Sequence, residues 1–146
     1  MADKRTCRIR YPSLRSIERA VEKLRQLYPD DPIQWKGGGR GQAMQAVEAA
    51  RWAFHFSRGQ PCYARKLAAA AALFHELITL HPLADGNKRL AAVTLWAFLR
   101  VNRMPRPKRI AEAALRVAGG EWGREEVYQW LLRVYHAGRA RRGRGG

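Results

Sequence analysis

The sequence predicts an all-α fold, a compact single-domain bundle of about six helices. Apolar residues recur at steps of three and four along most of the chain, and no segment alternates apolar and polar residues for long enough to predict a strand. With 146 residues, 47% of them hydrophobic and 27% charged, the chain is large enough to bury a core. We expect a helical domain over residues 13–137, between an N-terminal extension (1–12) and a basic tail (138–146).

The first helix is predicted to follow a short, extended start over residues 6–11. Ser13 or Ser16 can cap it, and its apolar positions are Leu14, Ile17, Val21, Leu24 and Leu27. Pro29 should stop it at Tyr28. Residues 29–41 are predicted to be a mobile loop, because glycines occupy positions 37–39 and 41. These glycines do not fit the spacing GxGxxG, and no strand precedes them.

Five further helices follow from periodicity and from the residues that interrupt it. They are predicted over residues 42–57, 62–80, 87–102, 110–118 and 125–134. The helix over 62–80 is predicted to be buried and central, since its alanine-rich stretch lets a neighbour approach closely. Trp52, Trp96 and Trp130 fall on apolar stripes and are predicted to pack in the core. The tail after residue 138 is rich in arginine and glycine and is predicted to be disordered.

Charge and cysteine content narrow the functional classes. The formal net charge is +16, which favours association with polyanions such as nucleic acid, nucleotide phosphates or an acidic protein. An arginine-rich composition with solvated faces would give the same number. No apolar run is long enough to span a membrane, so we expect a cytoplasmic protein without a membrane partner. Cys7 and Cys62 lie far apart in sequence, and neither a disulfide nor a zinc site is predicted.

One segment, HPLADGNKRLA (His81 to Ala91), concentrates reactive side chains between two long apolar helices. Its loop residues lead into a helix N-terminus, where backbone N–H groups without intrahelical partners and the positive end of the helix dipole favour an anion. Lys88 and Arg89 place two cations where that dipole disfavours them. A bound anion would resolve this conflict, so the segment is predicted to bind phosphate.

Asp85 and His81 add the groups that phosphate chemistry needs. Asp85 is the type of ligand that Mg²⁺ uses when it also binds phosphate oxygens, and His81 can act as a general base. A plain helix–loop–helix would explain only Pro82 and Gly86. A zinc motif of the HExxH type at His75 is excluded, because Thr79 stands where its second histidine belongs.

These residues resemble the signature of the Fic/Doc (Fido) superfamily. In that signature His-Pro-Phe is followed by an acidic residue, Gly or Ala, Asn, and then Gly-Arg in Fic enzymes or Lys-Arg in Doc-like ones. Lys88-Arg89 sides with Doc, as does Ala92, which stands where Fic enzymes carry a second arginine. The segments GGGRGQAMQAVEAA, FLRVNRMP and EEVYQWL also resemble the family, so that the likeness covers about residues 37–134.

The resemblance implies a Fido fold and a role for each residue of the segment. His81 would be the base, Asp85 the Mg²⁺ ligand and Arg89 a phosphate clamp. Gly86, Asn87 and Lys88 would form the anion hole, and Leu83, in place of phenylalanine, would anchor the loop in the core. Leu90 and Arg103 replace a common threonine and a common glycine.

The implied function is a toxin-like transfer of a phosphoryl group from ATP, or another nucleoside triphosphate, to a Ser/Thr hydroxyl of a target protein, plausibly a translation factor. Protein adenylylation on the same fold is the alternative. A nucleic-acid-binding helical module without enzymatic activity is an alternative of another class. The self-inhibitory pattern Ser/Thr-x-x-x-Glu is not met from Ser13 or Ser16, which implies restraint by a separate antitoxin protein.

Overall fold

The computed structural model describes residues 7–145, which form six helices. They are α1 (Leu14–Leu27), α2 (Gly39–Phe56), α3 (Cys62–Leu80), α4 (Asn87–Val101), α5 (Ile110–Ala118) and α6 (Arg124–Gly145). Within this range the only β-pairing is an isolated bridge between Trp35 and Leu83. The all-α prediction is therefore confirmed. The first six residues of the expected N-terminal extension and the last residue of the tail lie outside the described residues.

Helix α1 begins and ends as its sequence predicts. The Ser13 hydroxyl accepts a hydrogen bond from the backbone N–H of Ser16 (3.1 Å), which caps the helix. At the other end Tyr28 is the C-cap. The apolar stripe is buried at Ile17, Val21 and Leu24, so α1 packs on the bundle through the face that the periodicity indicated.

Helix α3 is the buried centre of the bundle, as predicted. Four successive alanines, Ala69–Ala72, are fully buried. Their small side chains allow α2 to pack closely through its own small residues, Ala43, Ala46, Val47 and Ala50. The C-terminal end of α3 is held in the core by larger side chains, among them Phe74 and Leu77, so the loop that follows it starts from a fixed point.

Two helix boundaries differ from the predictions by more than one residue. Helix α2 begins at Gly39, so the expected loop over 29–41 is shorter than predicted. Helix α6 continues to Gly145, and the prediction of a disordered tail is wrong. Arginine and alanine are good helix formers, and no proline interrupts α6. Residues 139–143 are nevertheless exposed, so this last part of α6 lies outside the core.

Cys7 and Cys62 form a disulfide, with a Cα–Cα distance of 5.4 Å, and the prediction that they do not pair is wrong. The two cysteines are 55 positions apart in sequence, and the chain between them folds back so that the N-terminal segment lies against the start of α3. The segment is also fixed at Arg10, whose backbone exchanges two hydrogen bonds with the Asn102 side chain. Sequence separation alone does not reveal this approach.

The predicted burial of the tryptophans holds only in part. Trp130 is half-buried and packs near Phe74, with ring centroids 6.2 Å apart. In contrast, Trp52 is 56% exposed and Trp96 is 42% exposed. Both lie on helical stripes that no neighbouring helix covers fully. Among residues 7–145, no helix has both the length and the apolar character needed to cross a membrane.

Candidate active site

The motif loop, residues 81–86, starts where α3 ends at His81. His81 adopts a left-handed backbone conformation (φ 54°), which is uncommon for a residue other than glycine. Pro82 explains why the helix stops here, because a proline disfavours the right-handed helical conformation of the residue before it. The result is an exposed imidazole at the end of a buried helix.

The motif loop is fastened to the connector between α1 and α2 by main-chain hydrogen bonds. The N–H of Lys36 donates to the carbonyl of Pro82 (3.0 Å), and the N–H of Ala84 donates to the carbonyl of Gln34 (2.8 Å). Between these bonds Leu83 is fully buried in the core cluster, as expected for the residue that anchors the loop. The motif loop is thus held by main-chain hydrogen bonds to the connector and by the burial of Leu83 in the core.

Asn87 holds the motif loop from inside. Its Oδ1 accepts a hydrogen bond from the N–H of Leu83 (2.8 Å), and its Nδ2 donates to the carbonyl of Leu83 (2.9 Å). The residue is only 8% exposed. Nδ2 also lies 3.5 Å from Nδ1 of His81. The Asn87 side chain therefore shapes the loop, and any contact it contributes to an anion comes from its backbone N–H.

The start of α4 has the features of an anion site. Gly86 is the N-cap, in a left-handed conformation (φ 92°), and no side chain caps the helix. Leu90 makes the first helical hydrogen bond, to the carbonyl of Gly86 (2.9 Å). The N–H groups of Asn87, Lys88 and Arg89, here called the α4 amides, therefore lack intrahelical partners. No acidic residue occupies the first turn, so the positive helix end is not neutralised from within.

Asp85 precedes the α4 amides and is exposed. Its Oδ1 accepts a hydrogen bond from the N–H of Gly86 (2.8 Å), which orients the carboxylate at the mouth of this helix end. Among the described residues no three His, Cys, Asp or Glu side chains group together as metal ligands. A single carboxylate suits Mg²⁺, which takes its other ligands from water and substrate phosphates.

Arg89 is directed elsewhere in this structure. Its guanidinium forms an ion pair with Asp31 and lies 3.9 Å from the ring centroid of Tyr28. The hydrogen bond that Arg89 donates to the Asp31 carboxylate raises the pKa of Arg89, so this guanidinium stays charged at any physiological pH. The structure brings His81, Asp85, Gly86, Asn87 and Lys88 together in one loop and helix turn, whereas the Arg89 side chain joins the end of α1.

The connector contributes residues that sequence reasoning did not identify as part of the site. Gln34 and Lys36 fasten the motif loop, and Tyr28 and Asp31 hold Arg89. The hydrogen bonds of Gln34 and Lys36 use main-chain atoms, so the identity of their side chains gives no indication of them. The only available hint was Asp31, a carboxylate close to a helix end in a chain that has few of them.

Gly39 supports the motif loop by allowing close approach. A Cβ atom at this position would lie 2.1 Å from the backbone oxygen of Pro82. We therefore expect Gly39→Ala to lower the free energy of unfolding by about 1–3 kcal/mol, the usual cost of overpacking. Gly41, two residues later in α2, has nothing within 4 Å of such an atom. Gly41→Ala should instead raise stability by roughly 0.5–1 kcal/mol.

Urea unfolding followed by circular dichroism measures both glycine variants against the parent chain. Opposite signs for the two substitutions would establish the contact between Gly39 and Pro82. Equal stabilisation by both would contradict it, because helix propensity alone would then account for the two results.

The comparison with protein families agrees with this geometry. A model described as the Fic/DOC family matches residues 11–99, which include the motif loop, the connector and almost all of α1–α4. No curated protein matches the chain. The family match ends before α5 and α6, so it supports only part of the likeness read from residues 37–134. Members of this family are typically protein-modifying transferases that use a nucleoside triphosphate with Mg²⁺. Since the match covers more than half of its residues, the chain belongs to the Fic/DOC family.

Proposed function

We propose that this protein is a Doc-like phosphotransferase that moves the γ-phosphoryl group of ATP, or another nucleoside triphosphate, to a Ser/Thr hydroxyl of a target protein. The observation that carries the proposal is the uncapped start of α4: the α4 amides and Lys88 come directly after Asp85, and Nδ1 of His81 lies 3.5 Å from Nδ2 of Asn87 in the first turn. This arrangement supplies backbone donors and a cation for phosphate oxygens, with a candidate base beside them.

In the proposed step His81 acts as general base. In the neutral imidazole one ring nitrogen carries no proton, and that nitrogen accepts the proton of the target hydroxyl. The hydroxyl oxygen forms a bond to the γ-phosphorus as the bond from that phosphorus to the β,γ-bridging oxygen breaks. ADP leaves with the electron pair of the broken bond. The α4 amides are preorganised to stabilise charge on the phosphoryl oxygens, which is most of what this chemistry requires.

Asp85 is the residue that would hold Mg²⁺. One of its oxygens is fixed by the N–H of Gly86, and the carboxylate is exposed beside the α4 amides, so the donor set fits a hard cation shared with phosphates. When bound, the ion would neutralise negative charge on the phosphate oxygens. Arg89 fits this site as a clamp once a phosphate competes with Asp31 for its guanidinium, since both are anionic acceptors for a bidentate donor.

The choice between phosphoryl and adenylyl transfer depends on Lys88 and Ala92. Lys88 adds bulk and charge at the position where the Fic signature has a small glycine. Ala92 provides no guanidinium for the outer phosphates. Both features favour a nucleotide whose γ-phosphate lies at the α4 amides, next to His81. Protein adenylylation remains the second candidate function, since the family match is equally compatible with it.

Two labels distinguish these reactions. We expect ATP labelled at the γ-phosphate to mark a target protein in a cell lysate, and ATP labelled at the α-phosphate to leave it unmarked. Chelation of Mg²⁺ with EDTA serves as the control and should abolish labelling. Mass spectrometry of the marked protein would identify the target, which we propose to be a translation factor, and an inhibitory antitoxin should suppress the labelling.

Each other outcome of the labelling experiment has a definite meaning. Transfer of the α label would contradict phosphoryl transfer and support adenylylation. If neither label is transferred in lysates of several hosts, while the chain binds RNA or duplex DNA with a steep salt dependence, the non-enzymatic nucleic-acid-binding module would be favoured.

A further inference from the structure

A second cationic site lies at the other end of α4. It is a cavity of about 400 Å³ lined by Arg8, Arg10, Lys66, Val101, Asn102 and Arg103. Four of these six residues are basic and none is acidic. We call this cavity the basic pocket.

The basic pocket is separate from the motif loop. Helix α4 has the motif loop at its start and Asn102 at its C-cap, and fifteen residues of helix span about 20 Å. Helix α3 gives the same separation, because Lys66 lies fifteen residues before His81. A ligand in the basic pocket would therefore not touch the α4 amides.

Several restraints fix the backbone around the basic pocket and the ammonium of Lys66. Asn102 is 3% exposed, and its amide bonds both the N–H and the carbonyl of Arg10 (2.8 and 2.9 Å). The ammonium of Lys66 donates to the carbonyl of Asn102 (3.1 Å). The disulfide fixes Cys7, next to Arg8, to Cys62, one turn before Lys66. The walls are thus built from covalent and hydrogen-bonded contacts.

Within residues 7–145, the charges of the basic pocket are not balanced by carboxylates. Among the described residues no carboxylate forms an ion pair with any of its four basic side chains. Burial, together with the positive charge of Arg103, lowers the pKa of Lys66. The C-terminal end of α4 offers only about half a negative charge. Arg103 itself is held in a left-handed conformation (φ 59°). Four cations gathered in this way attract an anionic ligand.

We propose that the basic pocket binds a small molecule carrying two or more phosphate groups, of the pyrophosphate class. Its volume falls in the range of small-ligand sites and is too small for a duplex. Arginine is suited to phosphate, because its planar guanidinium binds two oxygens at once. A single phosphate would leave most of the positive charge uncompensated, whereas the two phosphates of a pyrophosphate group can contact several of the four basic side chains. This inference is independent of the transfer reaction proposed above.

Calorimetric titration of the full-length, oxidised chain with inorganic pyrophosphate tests the proposal. Lys66→Met removes the ammonium but keeps the stem. Arg103→Gly removes the guanidinium but keeps a residue that adopts positive φ readily. We expect each to weaken binding about ten-fold or more, since each removes charge-assisted hydrogen bonds. Arg133→Gln, an exposed position on α6 outside the cavity, loses one charge as well and should change the affinity less than about two-fold.

Lys88→Gln tests whether pyrophosphate binds at the motif loop instead of the basic pocket. Circular dichroism checks that each variant remains helical. Retained binding in Lys88→Gln supports the proposal. It is overturned if pyrophosphate does not bind, if Arg133→Gln weakens binding as much as the pocket variants, or if only Lys88→Gln abolishes it. RNA binding that depends on Lys66 and Arg103 and resists pyrophosphate would overturn it as well. Competition by ADP would identify a nucleotide as the source of the phosphates, and its absence a free polyphosphate.

Discussion

His81→Ala is expected to lower the rate of the proposed phosphoryl transfer on the order of 10²–10⁴-fold, with nucleotide binding and helical content retained. A positioned acid–base group contributes a factor of this size, and the imidazole lies at the exposed end of α3, outside the core. Rates of label transfer to the target protein measure the effect. His55→Ala, which removes another exposed histidine from α2, should leave the rate unchanged.

A second substitution separates the imidazole from its backbone. His81 has a positive φ, and asparagine tolerates that conformation better than alanine does. His81→Asn should therefore preserve the motif loop and still lose transfer activity. If His81→Asn transfers the label as fast as the parent chain, the imidazole is not the base, and the loss in His81→Ala would have to be assigned to altered loop geometry.

Removal of the disulfide is expected to lower the free energy of unfolding by about 4 kcal/mol. In the chain-entropy account the effect depends on the length of the loop that the bond closes, and here 55 positions separate Cys7 from Cys62. Urea unfolding of the parent chain with and without a phosphine reductant measures it. Cys7→Ser/Cys62→Ser should match the reduced parent and should not respond to the reductant.

Coincident unfolding curves for the oxidised and reduced parent chains would contradict the disulfide prediction. That result would mean that the Arg10–Asn102 hydrogen bonds already confine the N-terminal segment, so that the covalent bond adds no restraint.

Local signals in the sequence were sufficient to predict the helices. Periodicity and flanking residues placed α3 and α5 at their observed limits, and Ser13 marked the start of α1. They failed where the outcome depends on distant contacts. Gly39 is part of α2 and packs directly against the backbone of Pro82, whereas the glycine-rich composition of residues 37–41 predicted a loop. Cys7 meets Cys62 only after the chain has folded.

The exposed tryptophans show a related limit. A helical stripe reveals that Trp52 and Trp96 share a face with apolar residues, but it does not reveal whether another helix covers that face. Both side chains lie at the rim of the bundle, more than two fifths exposed. Helix α6 extended past its predicted end for a different reason, since no proline interrupts its helix-forming arginines.

The candidate site was predictable where its residues are consecutive. Residues 81–89 form a loop and a helix start whose chemistry follows from their order, and the structure places His81, Asp85 and the α4 amides together. The orientation of Arg89 was not predictable, because its partners are distant in sequence. Asp31 lies 58 positions before Arg89, and Tyr28 lies at the end of α1.

The pairing of the connector with the motif loop has a consequence for how this protein can diverge. Both bonds join main-chain atoms of residues 34–36 and 82–84, and the side chains of Gln34 and Lys36 are exposed. Any non-proline residue at position 36 supplies the same N–H, and any residue at position 34 the same carbonyl. Substitutions at these two positions can therefore accumulate beside the motif loop without altering its shape. The surface next to the loop can change in this way while the backbone geometry of the loop is conserved.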